Sequence, residues 1–372
     1  MEHILSFGQG ALAFVLVITV VVFVHEFGHF YFARLFGVKV EQFSIGFGKP
    51  IFKWMDRHGT QWKICYIPLG GYIKMHGDAN PASAPDQKLL SKMSKKERNG
   101  SFHHKKLWQK AIIIAAGPAA NYLLAILIML GTSYYYGMVV VSPKIGEVVA
   151  ESPAAVAGLK AGDIINEVDG QKIDSFMDLK ARMSISLGDP MNLKVLRGEN
   201  HIDVTLRPEA KEVDDGLGQQ VKTFVIGIVA NDIEVKKLSL LQAGKHSLQQ
   251  TYEISSMMLR GIGQMILGER SSSEMGGPIK IAQYSAKSME KGASSLLMFI
   301  VMISINLGMV NLFPIPLLDG GHLLFYGIEA LIGSPINAEI LGYAYKAGFS
   351  ILILLMIYAI SNDVKGLLHS FL

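Results

Sequence analysis

No charged side chain occurs between Lys110 and Lys144. A run of that length, apolar from Ala111 to Gly137, has no place on a water-facing surface and is long enough to cross a bilayer as a helix. Three further stretches behave alike. Ala11–Val24 is free of charge inside a segment from about Ile4 to Phe36. Gly292–Leu318 carries no charge, and Ala347–Asn362 lies between Lys346 and Asp363. Half of the residues are hydrophobic, 18% are charged and the mean hydropathy is +0.32. Such a balance is too apolar for an ordinary soluble enzyme. The expectation is a multi-pass α-helical membrane protein with four transmembrane helices, within 1–36, 111–137, 292–322 and 347–368. The N-terminal run lacks a positive flank and a small-residue cleavage site, and is read as a retained helix.

Charge sets the expected orientation. Arg34–Lys110 holds 15 Lys/Arg against 5 Asp/Glu, whereas Val140–Lys291 holds 18 against 20. The positive-inside rule places the 37–110 loop in the cytoplasm, with both chain ends on the other side. The lysines and arginine between Lys92 and Lys110 suit contact with anionic membrane lipid. No separate basic domain is present, and no nucleic-acid partner is expected. The single cysteine, Cys65, excludes an intramolecular disulfide and any cysteine-based metal site.

Against this background, His25-Glu26-Phe27-Gly28-His29 stands out. It matches H-E-x-x-H. On a helix, His25 and His29 project from one face, a spacing that suits two ligands of one zinc ion with Glu26 as general base. Ionisable side chains at the end of an apolar segment are costly and point to function. A third ligand must come from elsewhere. The third apolar run ends in Asn306-Leu307-Gly308-Met309-Val310-Asn311-Leu312-Phe313-Pro314-Ile315-Pro316-Leu317-Leu318-Asp319-Gly320-Gly321-His322. Pro314 and Pro316 must interrupt the helix, and irregular backbone at membrane depth is tolerated only where it is buried or lines a cavity. Asp319 would complete a His₂-carboxylate set with one position open, with His322 as the competing ligand. In the second run, Gly117-Pro118-Ala119-Ala120-Asn121 offers small residues for close helix contact and one polar group, Asn121, within the membrane.

Two stretches of the cytoplasmic loop read as strands, Gln61–Pro68 and Leu69–Met75, forming a β-hairpin at about 61–76 with Gly70-Gly71 as a possible turn. Its free edge could pair with an extended peptide. From 139 to 230 the chain reads as a strand-rich domain with a C-terminal extension. Its Ser152-Pro153-Ala154-Ala155-Val156-Ala157-Gly158-Leu159, followed by Gly162-Asp163-Ile164-Ile165, resembles a PDZ domain of the bacterial protease-associated type, a fold that binds peptide chain ends in a groove. Residues 231–291 read as an amphipathic helical linker, and 323–346 as a connection on the cytoplasmic side.

HEFGH on the first span, GPAAN on the second, a PDZ-like insert and NLFPIPLLDGGH on the third together resemble the site-2 protease family, in its bacterial PDZ-containing, RseP-like branch. That resemblance implies an intramembrane zinc metalloprotease of the bacterial inner membrane. Such enzymes cut single-span membrane proteins, such as trimmed anti-sigma factors or signal-peptide remnants. By position, His25, His29 and Asp319 match the family's zinc ligands and Glu26 its catalytic base. Asn311 and Asn306 match asparagines of substrate handling, and Gly70, Gly71, Tyr72 and Ile73 fall in a membrane-associated β-hairpin that pairs with unwound substrate. Asn121, Pro314, Pro316 and His322 are expected in supporting roles. One PDZ-like copy is present, where RseP has two. Two other classes fit fewer of these features: a proteolytically silent PDZ adaptor, which leaves HEFGH unexplained, and a divalent-metal transporter, which needs more than one ligand cluster.

Overall fold

The computed structural model describes residues 2–80, 85–186, 188–214, 220–269, 271–272 and 275–369. In chain order, α1 (Glu2–Leu35) leads to β1 (Val40–Met55), β2 (Gln61–Met75), α2 (Gln87–Lys92), α3 (Lys95–Gly100) and α4 (Leu107–Tyr136). Then come β3 (Met138–Val141), β4 (Glu147–Val148), α5 (Pro153–Val156), β5 (Ile164–Val168), β6 (Gln171–Lys172), α6 (Phe176–Ser186), β7 (Met191–Arg197) and β8 (Asn200–Leu206). β9 (Glu209–Asp214), β10 (Gln220–Val225), β11 (Ile228–Val229) and β12 (Ile233–Lys236) precede α7 (Leu240–Ile266), α8 (Pro278–Glu290), α9 (Ala293–Asn311), α10 (Asp319–Ile332) and α11 (Ala338–His369). The chain divides into two compact units, Met1–Met129 with Gly277–Ser361, and Leu130–Gly276 with Asn362–Leu372.

Among the described residues, four helical stretches are long and apolar enough to cross a membrane: Gly10–Leu35, Leu107–Tyr136, Ala293–Asn311 and Glu339–Leu368. The last begins earlier than residue 347. Asn337 Oδ1 accepts the Glu339 N–H at 2.8 Å, and an acidic residue in a first turn suits the helix dipole. The connection read at 323–346 is largely helical, since α10 runs to Ile332 and α11 starts at Ala338. In the first unit, Val17 and Val21 of α1 are fully buried with Ile300 of α9, and Leu124 and Ile128 of α4 pack beside them. α9 stops at Asn311, seven residues turn through the two prolines, and Asp319 opens α10. Leu317 in that turn has φ +83°, a left-handed conformation that is strained for a side chain of its kind.

The segment between α1 and α4 corrects the hairpin expected at 61–76. Gly70 and Gly71 lie inside β2, and β1 and β2 are joined through residues 56–60 instead. Each long strand is bent and used twice. Met55–Phe52 pairs with Gln61–Ile64, Gln61–Ile64 also runs beside Gln42–Ile45, and Gln42–Ile45 pairs on its far side with Lys74–Gly71. The bends fall at Gly46 (φ +83°), Gly48 (φ +89°) and Gly70 (φ +110°), conformations open to glycine at little cost. The result acts as four short strands, ordered 50–55, 61–65, 40–45, 71–75, with 71–75 at an edge. Phe43 anchors it, fully buried, with its ring 4.3 Å from that of Trp62.

In the second unit, the sheet order is β6-β5-β7-β8. Met191, Leu193 and Val195 alternate inward from exposed Asn192 and Lys194, the period-2 pattern of a half-buried strand. Ser152 caps α5 with Pro153 in its first turn, which accounts for the Ser-Pro-Ala run. β11 pairs with β4 and Ile226 enters the core, so 209–230 completes this unit. Residues 231–291 are not one helical linker: β12 pairs with β3, and α7 and α8 are separate helices. The buried carboxylate of Asp163 accepts from Arg197 Nε and Nη2, both at 2.7 Å, and from Lys160 N–H at 2.8 Å. Burial pushes that carboxyl up, but the guanidinium and the amide outweigh it and hold it below the usual range. Stability from the pair is thus present at neutral pH and lost as pH falls through the folded value. Arg197→Ala is expected to destabilise this unit, by less than the loss of a fully buried pair because the guanidinium is exposed. It should also move acid unfolding to higher pH. Hydrogen exchange of the Ile164–Arg197 amides in the full chain, followed against pH, checks both.

Candidate metal centre

His25 and His29, one turn apart on α1, are both buried. Their Nε2 atoms lie 3.2 Å from one another. Asp319 Oδ2 lies 3.1 Å from His25 Nε2, and Oδ1 lies 3.5 Å from His29 Nε2. One ligand atom from each residue falls within 4.8 Å of the others. Two ring nitrogens this close can share at most one proton, and Asp319 Oδ2 is buried with no aligned hydrogen-bond donor. A cation at their centre would satisfy all three. Two imidazoles and a carboxylate, with a position to spare, fit zinc. Glu26 shares the cavity of about 160 Å³ that these residues line, as does Ile73.

The other ring nitrogens are held by α4. His29 Nδ1 donates to Ile113 O at 2.8 Å, which leaves Nε2 with a lone pair for a metal. His25 Nδ1 lies 3.2 Å from the Asn121 side-chain nitrogen, while Asn121 Oδ1 is buried without a partner. Turning the amide over exchanges its oxygen and nitrogen and answers both groups, with Nδ1–H donating to Oδ1. We assign that orientation. Ser304 Oγ of α9 donates to Asn121 O at 2.8 Å, tying a third helix to the same point.

Small residues make this approach possible. A Cβ on Gly28 would strike Ala116 O and Ala120, and one on Gly117 would strike the His29 ring. HEFGH and GPAAN therefore interlock: Gly28 admits α4, Gly117 admits His29, and Asn121 reaches His25.

The cavity brings together His25, Glu26, His29, Asp319, His322 and Asn311 with Gly71, Tyr72 and Ile73 of the edge strand. His322 lines it but stands outside the converging trio, with its ring 5.7 Å from Tyr345 of α11. Asn306 is half-buried on α9 and does not line the cavity, nor do Gly70, Pro314 and Pro316. Gly70 serves the strand bend, and the prolines shape the turn into Asp319. Sequence reasoning missed Met75, Ile114 and Leu317 in the lining, and the Ile113 carbonyl, a backbone group without a sequence signature.

Residues 13–355 match peptidase family M50. A protein named as a zinc metalloprotease in Mesorhizobium japonicum is 38% identical over 95% of this chain and 98% of its own. One named likewise in Rickettsia conorii is 40% identical over 96% of this chain and 98% of its own. Metalloprotease MmpA of Caulobacter vibrioides is 34% identical over 94% of each. Among solved structures, the PDZ domain of an SdrC-like protein from Listeria monocytogenes is 24% identical, covering 25% of this chain and 90% of its own, with a TM-score of 0.21.

Asn121→Ala should free the His25 ring to rotate and weaken zinc binding by roughly 10–100-fold. Competition with a chromogenic chelator on the purified full chain measures this. Unchanged affinity would reduce Asn121 to packing.

Proposed function

The chain belongs to peptidase family M50 and is a zinc metalloprotease, and from that premise we propose that it cuts single-span membrane proteins within the bilayer. One observation carries the reading: His25, His29 and Asp319 converge beside Glu26 on a scaffold whose helices are apolar enough to cross a membrane. His25 Nε2, His29 Nε2 and an Asp319 oxygen hold the zinc. When bound, the metal supplies Lewis acidity that brings the pKa of water towards ~7 and polarises a carbonyl. Glu26 takes a proton from the attacking water and gives it to the leaving amine. Asn311, in the same cavity, is placed to donate to the scissile carbonyl or to hold substrate backbone.

A transmembrane substrate enters as a helix, with its amides bonded internally and shielded. It must unwind, and its freed backbone groups then need partners. The 71–75 edge supplies them by strand addition, and its Tyr72 and Ile73 reach the cavity. Phe47, Ile51, Phe52, Trp54, Met55 and Tyr66 of the same sheet are exposed apolar side chains, a surface suited to lipid. The charge bias orients the chain in the bacterial inner membrane with its active site towards the cytoplasm. The PDZ-like unit then lies on the other side, where it engages chain ends of trimmed substrates.

Glu26→Gln should retain zinc and lose roughly 10²–10⁴-fold in turnover. Cleavage of a reconstituted single-span substrate, with metal content measured on both proteins, tests this; loss of zinc in the variant would make Glu26 structural. Chelation should abolish cleavage, and added zinc should restore it. Glycine or proline near the scissile bond of the substrate should speed the reaction, and slowing by such residues would remove the unwinding step.

A further inference from the structure

The 71–75 edge is shorter than its five residues suggest. His76 N–H turns inward to Lys39 O at 2.8 Å. Alternation along the strand then sends the groups of residues 74 and 72 inward and those of 75, 73 and 71 outward. The outward groups are partly taken. Met75 N–H donates to Asp78 Oδ2 at 2.8 Å, and Asp78 N–H donates to Met75 O at 3.1 Å. Among the described residues, the outward backbone groups of Gly71 and Ile73 remain to face a docked chain.

Asp78 is built to hold this end. Its side chain is fully buried, and its second oxygen accepts from His103 Nε2 at 2.9 Å. Around it, Phe102 N–H bonds His76 O at 3.2 Å and Lys39 N–H bonds Gly100 O at 2.9 Å. The turn after the edge strand is thus knitted to the segment just ahead of α4, whose Ile113 carbonyl holds His29. A buried carboxylate, even one paired with His103, is a costly way to finish a strand end, unless that amide must be denied to another chain.

We propose that Asp78 is a positioning residue that closes the docking edge at Ile73 and thereby selects the peptide bond that faces Glu26. This rests on the reading that the 71–75 edge receives substrate. A docked strand can shift only in steps of two residues, because a one-residue step reverses its faces. With Met75 N–H open, a chain gains a second register two residues along, and the bond at Glu26 changes by two.

The test uses the full chain in vesicles of phosphatidylethanolamine and phosphatidylglycerol. The probe is a synthetic single-span polypeptide of leucine and alanine with a central glycine pair, and both products are weighed by intact-mass spectrometry. Wild type should give one cut. Asp78→Ala should add a second cut two residues from the first. Asp78→Asn, whose Oδ1 still accepts the Met75 N–H, should restore the single cut. A rate loss without a moved cut is what a merely structural aspartate would produce, and an unmoved cut in Asp78→Ala overturns the proposal. Should Asp78→Ala fail to hold zinc, Asp78→Ser keeps a hydroxyl for His103 but falls short of Met75, and its products are judged the same way. A photoreactive side chain at position 72 separates the two layers. Cleavage without cross-linking to the probe removes the docking reading, whereas cross-linking with an unmoved cut in the Asp78 variants removes only the role of Asp78.

Discussion

A histidine ring in hydrocarbon has two nitrogens to satisfy, and water is not there to help. Each unanswered polar group at that depth costs several kcal/mol. His25 and His29 therefore impose demands on every helix near them. One outer nitrogen takes the Ile113 carbonyl and the other the Asn121 amide, Ser304 steadies Asn121 from α9, and the inner nitrogens meet at Asp319 on α10. Four helices are brought to one point by two imidazoles. A one-residue slip of α1 would turn both rings by about 100° and strand all of these groups, so the same contacts that prepare a metal site also fix helix register.

The restart of the chain at Asp319 carries its own cost. Leu317 is held at positive φ, which is unfavourable by about 1–3 kcal/mol for a residue of this kind. The turn is retained because it drops Asp319 onto the first turn of a new helix facing α1, a placement that a continuous helix through 311–322 could not give. Lys110 of α4 lies 3.7 Å from Glu329 of α10 and stacks over Tyr326, and these contacts hold α10 against the same helix that orients His29.

Much of this was legible in the sequence, and what was hidden has physical causes. Charge-free runs reveal helices in lipid because few other structures tolerate them. HEFGH and the LDGG turn carry their chemistry in side chains, so spacing exposes them. The Ser-Pro-Ala run announces a capped helix. The sheet of β1 and β2 was misread because a glycine pair usually marks a turn, whereas Gly70 here bends a strand that continues through Gly71. Val40–Met55 escaped notice because its outer half is apolar and exposed, without the alternation that one buried face imprints. Asn306 matched a motif yet sits away from the cavity. Asp78 left no sequence signature, because a carboxylate on a main-chain amide shows nothing in composition or spacing.

The separation of the ligands along the chain bears on biosynthesis. Asp319 follows His29 by 290 residues, and α4 and α9, which steady the histidines, lie in between. A ribosome must deliver nearly the whole polypeptide before the carboxylate can join the imidazoles. Until then, α1 enters the membrane beside other nascent proteins with its two histidines but an incomplete metal cradle. The trio is completed as a late event of synthesis, after α1, α4 and α9 have been made.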